Sequence, residues 1–84
     1  MRPSSEPIRL FVSFPESLVG QPVIFELVKR FDVVPNIRRA NVEEHSGWII
    51  LELGGTEDAR EAALAHLAGI GCTVNRMEGD VVAG

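Results

Sequence analysis

Apolar side chains recur along this chain with two periods, and the switches between them mark out the elements. Ile8, Leu10 and Val12 alternate with Arg9 and Ser13, the period-two pattern of a strand with one buried face. Phe11 falls between them and puts a ring on the opposite face. Pro15 to Gly20 reads as a loop. Pro22 is placed as the first helical residue, where its missing N–H costs nothing. Behind it Val23, Ile24, Leu27, Val28 and Phe31 share one helical face, with Glu26, Lys29 and Arg30 opposite and Phe25 part-exposed outside the stripe.

Pro35 stops any further helix, and the segment to Glu44 reads as a second strand of uneven parity. Ala40 and Val42 face one way, but Ile37 is out of phase with them. Either a bulge lies between, or Ile37 precedes the regular strand. His45-Ser46-Gly47 makes a tight reversal into a third strand, Trp48 to Leu53. Ile49, Leu51 and Leu53 line one face of it, and Trp48, Ile50 and Glu52 the other. Gly54-Gly55 ends the strand, and Thr56 is the expected N-cap of a second helix whose first turn carries Glu57 and Asp58. Ala59, Ala63, Leu64 and Leu67 supply its buried side, and Gly69 and Gly71 terminate it. Cys72, Val74 and Met77 form a short fourth strand.

The order strand, helix, strand, strand, helix, strand, joined by right-handed crossovers, is a split β-α-β arrangement. It predicts an α+β, ferredoxin-like fold, a four-stranded antiparallel sheet with both helices on one face. The domain is expected over residues 7–78, with a flexible N-terminus at 1–6 and a flexible tail at 79–84. One sheet face stays uncovered, and Phe11, Trp48 and Ile50 are its candidate residues. They read either as a partner surface or as ordinary scattered apolar residues.

Composition narrows the function. At 84 residues the core is thin, since a chain this short hides only about 60–65% of its unfolded surface. A second copy or a partner protein would relieve that. The formal charge of −4 argues against nucleic acid, because the only basic runs are Lys29-Arg30 and Arg38-Arg39. No apolar run approaches the ~20 residues of a membrane-spanning helix, and Pro3, Ser4, Ser5 and Glu6 do not make a signal peptide, so the cytoplasm is the expected address.

Candidate chemistry is sparse. No glycine-rich phosphate loop is present, because Gly54-Gly55 is followed by no Lys. His45 in the turn and His66 on the second helix read as solvated, and their separation suits no metal pair. Glu43 and Glu44, as strand neighbours, point to opposite faces and cannot converge as an acid–base pair. Ser4, Ser5, Ser13, Ser17 and Ser46 have no adjacent base. The lone Cys72 reads as a small buried hydrophobe rather than a reactive thiol. The expectation is a non-enzymatic domain with no cofactor and no metal.

Three stretches together resemble the NIL domain family. They are Phe14-Pro15-Glu16 with Gly20-Gln21-Pro22-Val23-Ile24, then Asn36-Ile37-Arg38, then Glu52-Leu53-Gly54-Gly55 with Glu57-Asp58-Ala59 and Ala62-Ala63-Leu64-Ala65-His66-Leu67. Gly71 and Val74 stand as the Gly-x-x-Val ending of the family's second half, and the likeness runs from about residue 8 to 78. Asn36-Ile37-Arg38 stands where the family has its name-giving Asn-Ile-Leu, so Arg38 replaces the motif's Leu. Gly47 matches a family glycine in a hairpin shorter than usual.

The resemblance implies the ferredoxin-like fold and a regulatory role. NIL domains are best known at the C-terminus of the ATPase subunit of bacterial methionine importers, where they pair, bind methionine and inhibit transport. Others are fused to iron–sulfur modules in sulfur metabolism. This chain carries neither module and so resembles a free-standing copy. The resemblance therefore implies a sensor of methionine or a related sulfur amino acid, acting as a homodimer or on a sulfur-metabolism enzyme or transporter. Other readings are a pure interaction module, and an accessory in which Cys72 carries sulfur. The expected ligand residues are Asn36, Ile37, Gly20, Gln21 and Val23, near the start of the first helix. The expected dimer seam holds Phe11, Trp48 and Ile50. Asn36 offers a donor and an acceptor to an amino acid's charged end, or else serves as a turn or bulge residue after Pro35.

Overall fold

The structure is a computed structural model and describes residues 6–77. The elements run β1 (Ile8–Phe14), α1 (Val23–Arg30), β2 (Val33–Val42), β3 (Gly47–Gly55), α2 (Glu57–Gly69) and β4 (Thr73–Arg76), with a single 3₁₀ turn at Glu16–Leu18 after β1. The sheet order is β2-β3-β1-β4 with every neighbouring pair antiparallel. This is the expected ferredoxin-like fold. Of the termini expected to be flexible, residues 1–5 and 79–84 lie outside the described residues. Glu6 lies within them, and its carbonyl accepts from Arg60 at 2.9 Å.

Alternation in β1 and β3 buries Leu10, Val12, Ile49, Leu51 and Leu53 beneath the helices, where Leu27 of α1 and Ala63 and Leu67 of α2 meet them. Each fully buried Leu contributes about 1.5–3 kcal/mol, so this layer carries most of the fold's stability. Thr56 caps α2 as expected, its hydroxyl accepting from the Ala59 N–H at 3.1 Å. Cys72 is buried immediately before β4.

The uneven parity of β2 resolves into a bulge. Its register against β3 shifts between Ile37 and Arg39, leaving Arg38 as the extra residue. Directly opposed residues share a face. Val33, Pro35 and Ile37 therefore lie on the helix side opposite Gly55, Leu53 and Leu51, and Ala40 and Val42 rejoin them opposite Ile49 and Gly47.

Several details depart from the sequence reading, among them the end of β2 at Val42 rather than Glu44 and the limits of β4, which leave Cys72 and Met77 just outside it. Val28 is 44% exposed, because α1 has only eight residues and buries Val23 and Leu27, and Val28 lies a further 100° round from Leu27. Pro22 sits just before α1 as its N-cap residue rather than inside it. His66 is half-buried, its ring tilted against Phe31 at 5.4 Å, so it joins the two helices instead of projecting into solvent.

Candidate functional site

Among the described residues, the uncovered sheet face and a groove beside the first turn of α1 are candidate surfaces, and they lie on opposite sides of the sheet. The uncovered face is built in rows by the strand register. One row runs Thr73, Ser13, Trp48, Asn41, the next Asn75, Phe11, Ile50, Arg39, and a third includes Arg9, Glu52 and Asn36. Phe11 and Trp48 stack at its centre with ring centroids 5.5 Å apart and planes inclined by 23°. Arg9 donates to Glu52 at 2.9 Å, and this bond, with the charges of Arg38 and Arg9, holds the Glu52 carboxyl below its ordinary pKa. The three residues expected on the bare face, Phe11, Trp48 and Ile50, are all there and half-buried.

On the helix side, the first turn of α1 leaves a groove against the β2–β3 hairpin. Phe14, Leu18, Val19, Val23 and Val42 give it apolar walls, Gln21 supplies an amide, and the space amounts to about 230 Å³. Outside it, His45 Nδ1 lies 2.6 Å from Glu16 Oε2, linking the 3₁₀ turn to the hairpin.

The expected ligand residues divide between these surfaces. Gln21 and Val23 line the groove. Gly20 lies outside its lining, in open space where an added Cβ would meet nothing within 4 Å. Ile37 is on the helix side of the edge strand, 51% exposed. Asn36 opposes Glu52 and so projects from the uncovered face, not beside the first turn of α1. Within one protomer Asn36 and the groove do not meet.

Sequence reasoning missed Arg60. It is buried, and its Nη1 donates at 2.9 Å to the carbonyls of Glu6 and Gly55, tying the start of α2 to the ends of β1 and β3. No local pattern signals it, since its acceptors are backbone carbonyls and that of Glu6 is brought close only by the fold. Cys72 is placed as expected, and burial raises its thiol pKa. Among the described residues no group of three or more His, Cys, Asp or Glu is arranged to hold a metal ion. Among them, too, no helix is long and apolar enough to cross a membrane.

The family model of the NIL domain matches residues 8–76. The chain belongs to the NIL domain family. A curated relative, the methionine import ATP-binding protein MetN of Rhodospirillum rubrum, is 33% identical over 66 residues. That alignment takes in 74% of this chain but only 19% of the relative, so this NIL domain spans about a fifth of the relative's length. A solved structure, the C-terminal domain of an ABC transporter ATP-binding protein from Enterococcus faecalis, superposes with a TM-score of 0.75. It does so at 18% identity, over 86% of this chain and 84% of that one. The likeness is one of fold.

Proposed function

We propose that this NIL domain is a regulatory module that binds methionine or a related sulfur amino acid, works in the cytoplasm, and acts by binding rather than by catalysis. The observation that carries the reading is the 33% identity to a methionine import ATP-binding protein, together with the family match over residues 8–76. An apolar groove of about 230 Å³ beside a helix start supports it, being of a size to take an unbranched thioether side chain. Asn36 supplies donor and acceptor to the ligand's charged end, with Ile37, Gly20, Gln21 and Val23 around it. Asn36 and the groove face opposite ways in one protomer, so this reading requires a second copy to bring them together, as a homodimer. Calorimetric titration with methionine tests the reading, with saturable heat expected and flat heats at millimolar ligand counting against it.

The stacked Phe11 and Trp48, with Ile50 beside them, favour a second reading, in which this face docks on an enzyme or transporter of sulfur metabolism without any small ligand. Thermal-shift screening separates the two, since a ligand at 100 times its dissociation constant adds about 2.7 kcal/mol to stability.

A further inference from the structure

α1 divides the helix side of the domain. The groove lies on the flank that carries Ile24 and Phe25. On the other flank, between α1 and the end of α2, lies a cleft of about 460 Å³. Helical spacing decides which residues line it. Glu26 and Arg30 stand one turn apart on α1, and His66 and Ile70 one turn apart at the end of α2, so each helix lends the cleft one stripe. Leu18 and Val23, which also wall the groove, complete its apolar part with Ile70.

The charged groups of the cleft are not used by the fold. Among the described residues, neither the Glu26 carboxylate nor the Arg30 guanidinium takes part in a hydrogen bond or ion pair. They do not pair with each other, although residues four apart on a helix have Cβ atoms about 5–6 Å apart. Lys29, the neighbouring cation, lies 5.4 Å from the centroid of the Phe25 ring, on the groove flank. Arg30 therefore lines the cleft without it. His66 is half-buried, and its contact with Phe31 holds the ring at the cleft wall.

Small-molecule sites combine apolar walls with a few polar groups that select the ligand. Arg30 matches a carboxylate through two parallel N–H···O bonds, and the imidazole of His66 has an N–H to donate in either neutral tautomer. Glu26 only accepts, so it calls for a donor close to that carboxylate. A phosphate monoester would bring nearly two negative charges up to Glu26 and be repelled. The donor is better a hydroxyl than an ammonium. Glu26 lies in the first turn of α1, at the positive end of the helix dipole, with Arg30 one turn on. An ammonium there would meet both positive charges, and a hydroxyl meets no such penalty.

We propose that the cleft between α1 and α2 is a second small-molecule site, for an α-hydroxy acid with an apolar chain. Its carboxylate sits on Arg30 and His66, its hydroxyl donates to Glu26, and its chain lies over Leu18, Val23 and Ile70. The site goes beyond the methionine reading and does not depend on it. Phe14, Val42 and Gly47 line the groove and not the cleft, whereas Glu26, Arg30 and His66 line the cleft and not the groove.

Titration of α-hydroxyhexanoate into the isotope-labelled chain, followed by amide NMR, tests the proposal. Saturable shifts are expected at Glu26, Arg30, His66 and Ile70, with Phe14, Val42 and Gly47 unmoved. Hexanoate, which lacks the hydroxyl, and norleucine, with an ammonium in its place, should each bind at least about fivefold more weakly. Arg30→Gln should weaken binding by at least about tenfold, and Glu26→Met should abolish the advantage over hexanoate. Both side chains are exposed, so circular dichroism should show both variants folded. Failure of methionine to bind would count against the groove reading and leave these shifts in place. No saturable shift at tens of millimolar, shifts centred on the groove, norleucine binding more tightly than the hydroxy acid, or a folded Arg30→Gln protein that binds as tightly as wild type overturns the proposal.

Discussion

Phe11 of β1 and Trp48 of β3 stack on the uncovered face of the sheet, diagonal neighbours on adjacent strands with centroids 5.5 Å apart. The pair marks the one side of the sheet that no helix covers. An aromatic pair of this kind contributes about 0.5–1.5 kcal/mol beyond the area it buries. Phe11→Ala should therefore lower stability by about 1–3 kcal/mol and shift Trp48 emission to the red, read by urea unfolding followed by fluorescence. Trp48 emission in the wild type should also change on a dilution that splits the dimer, and unchanged emission would remove Trp48 from the seam.

Arg60 anchors two carbonyls that are distant in sequence, that of Glu6 just before β1 and that of Gly55 at the end of β3. Arg60→Met keeps the stem packed and removes the donors. Hydrogen bonds from a charged group are worth about 1.5–3 kcal/mol, and the melting temperature should fall accordingly. Arg60→Lys should recover only part of this, because one ammonium does not reproduce the guanidinium fork.

Gly55 ends β3 at φ +131°, and an added Cβ would lie 2.8 Å from the Asp32 carbonyl oxygen. Gly55→Ala should destabilise by at least about 1–2 kcal/mol, measured by thermal melting. Gly20→Ala, in open space, should be close to neutral for stability.

Two titrations carry opposite signs. Glu52 has its pKa lowered chiefly by the hydrogen bond from Arg9. Its contribution to stability is present above the ordinary carboxylate range and is lost as pH falls through the lowered folded value. Glu52→Gln should flatten that acid limb of the stability curve. Burial raises the Cys72 thiol, so its contribution is present below the ordinary thiol range and is lost as pH rises through the raised folded value. Native Cys72 should react slowly with a thiol reagent at neutral pH and rapidly once unfolded. Fast native labelling would instead favour the sulfur-carrier reading.

Local pattern made the elements legible because strand alternation and helical spacing leave their mark within a few residues. Leu10, Val12, Ile49, Leu51 and Leu53 were all readable in this way, as was the Thr56 cap. The bulge at Arg38 was visible only as a conflict of parity between Ile37 and Ala40, since sequence shows that a register slips without showing where. Val28 and His66 were misplaced because the length of α1 and the gap between the helices are set by packing. Of the candidate site, Gln21 and Val23 in the groove followed from the helix start. That Asn36 projects from the other face follows only from its pairing with Glu52, a contact sixteen residues away in sequence that no short motif encodes.

Calorimetric titration of methionine into wild type and Asn36→Ala, with melting curves of both, tests the central claim most directly. A lost hydrogen bond to a charged ligand group is worth about 1.5–3 kcal/mol, so Asn36→Ala should weaken binding about 10- to 150-fold. Its melting temperature should stay near wild type, because Asn36 is exposed and fills no core volume. A folded Asn36→Ala protein that binds methionine as tightly as wild type would contradict the site, and a wild type that gives no heat at millimolar methionine would contradict the function.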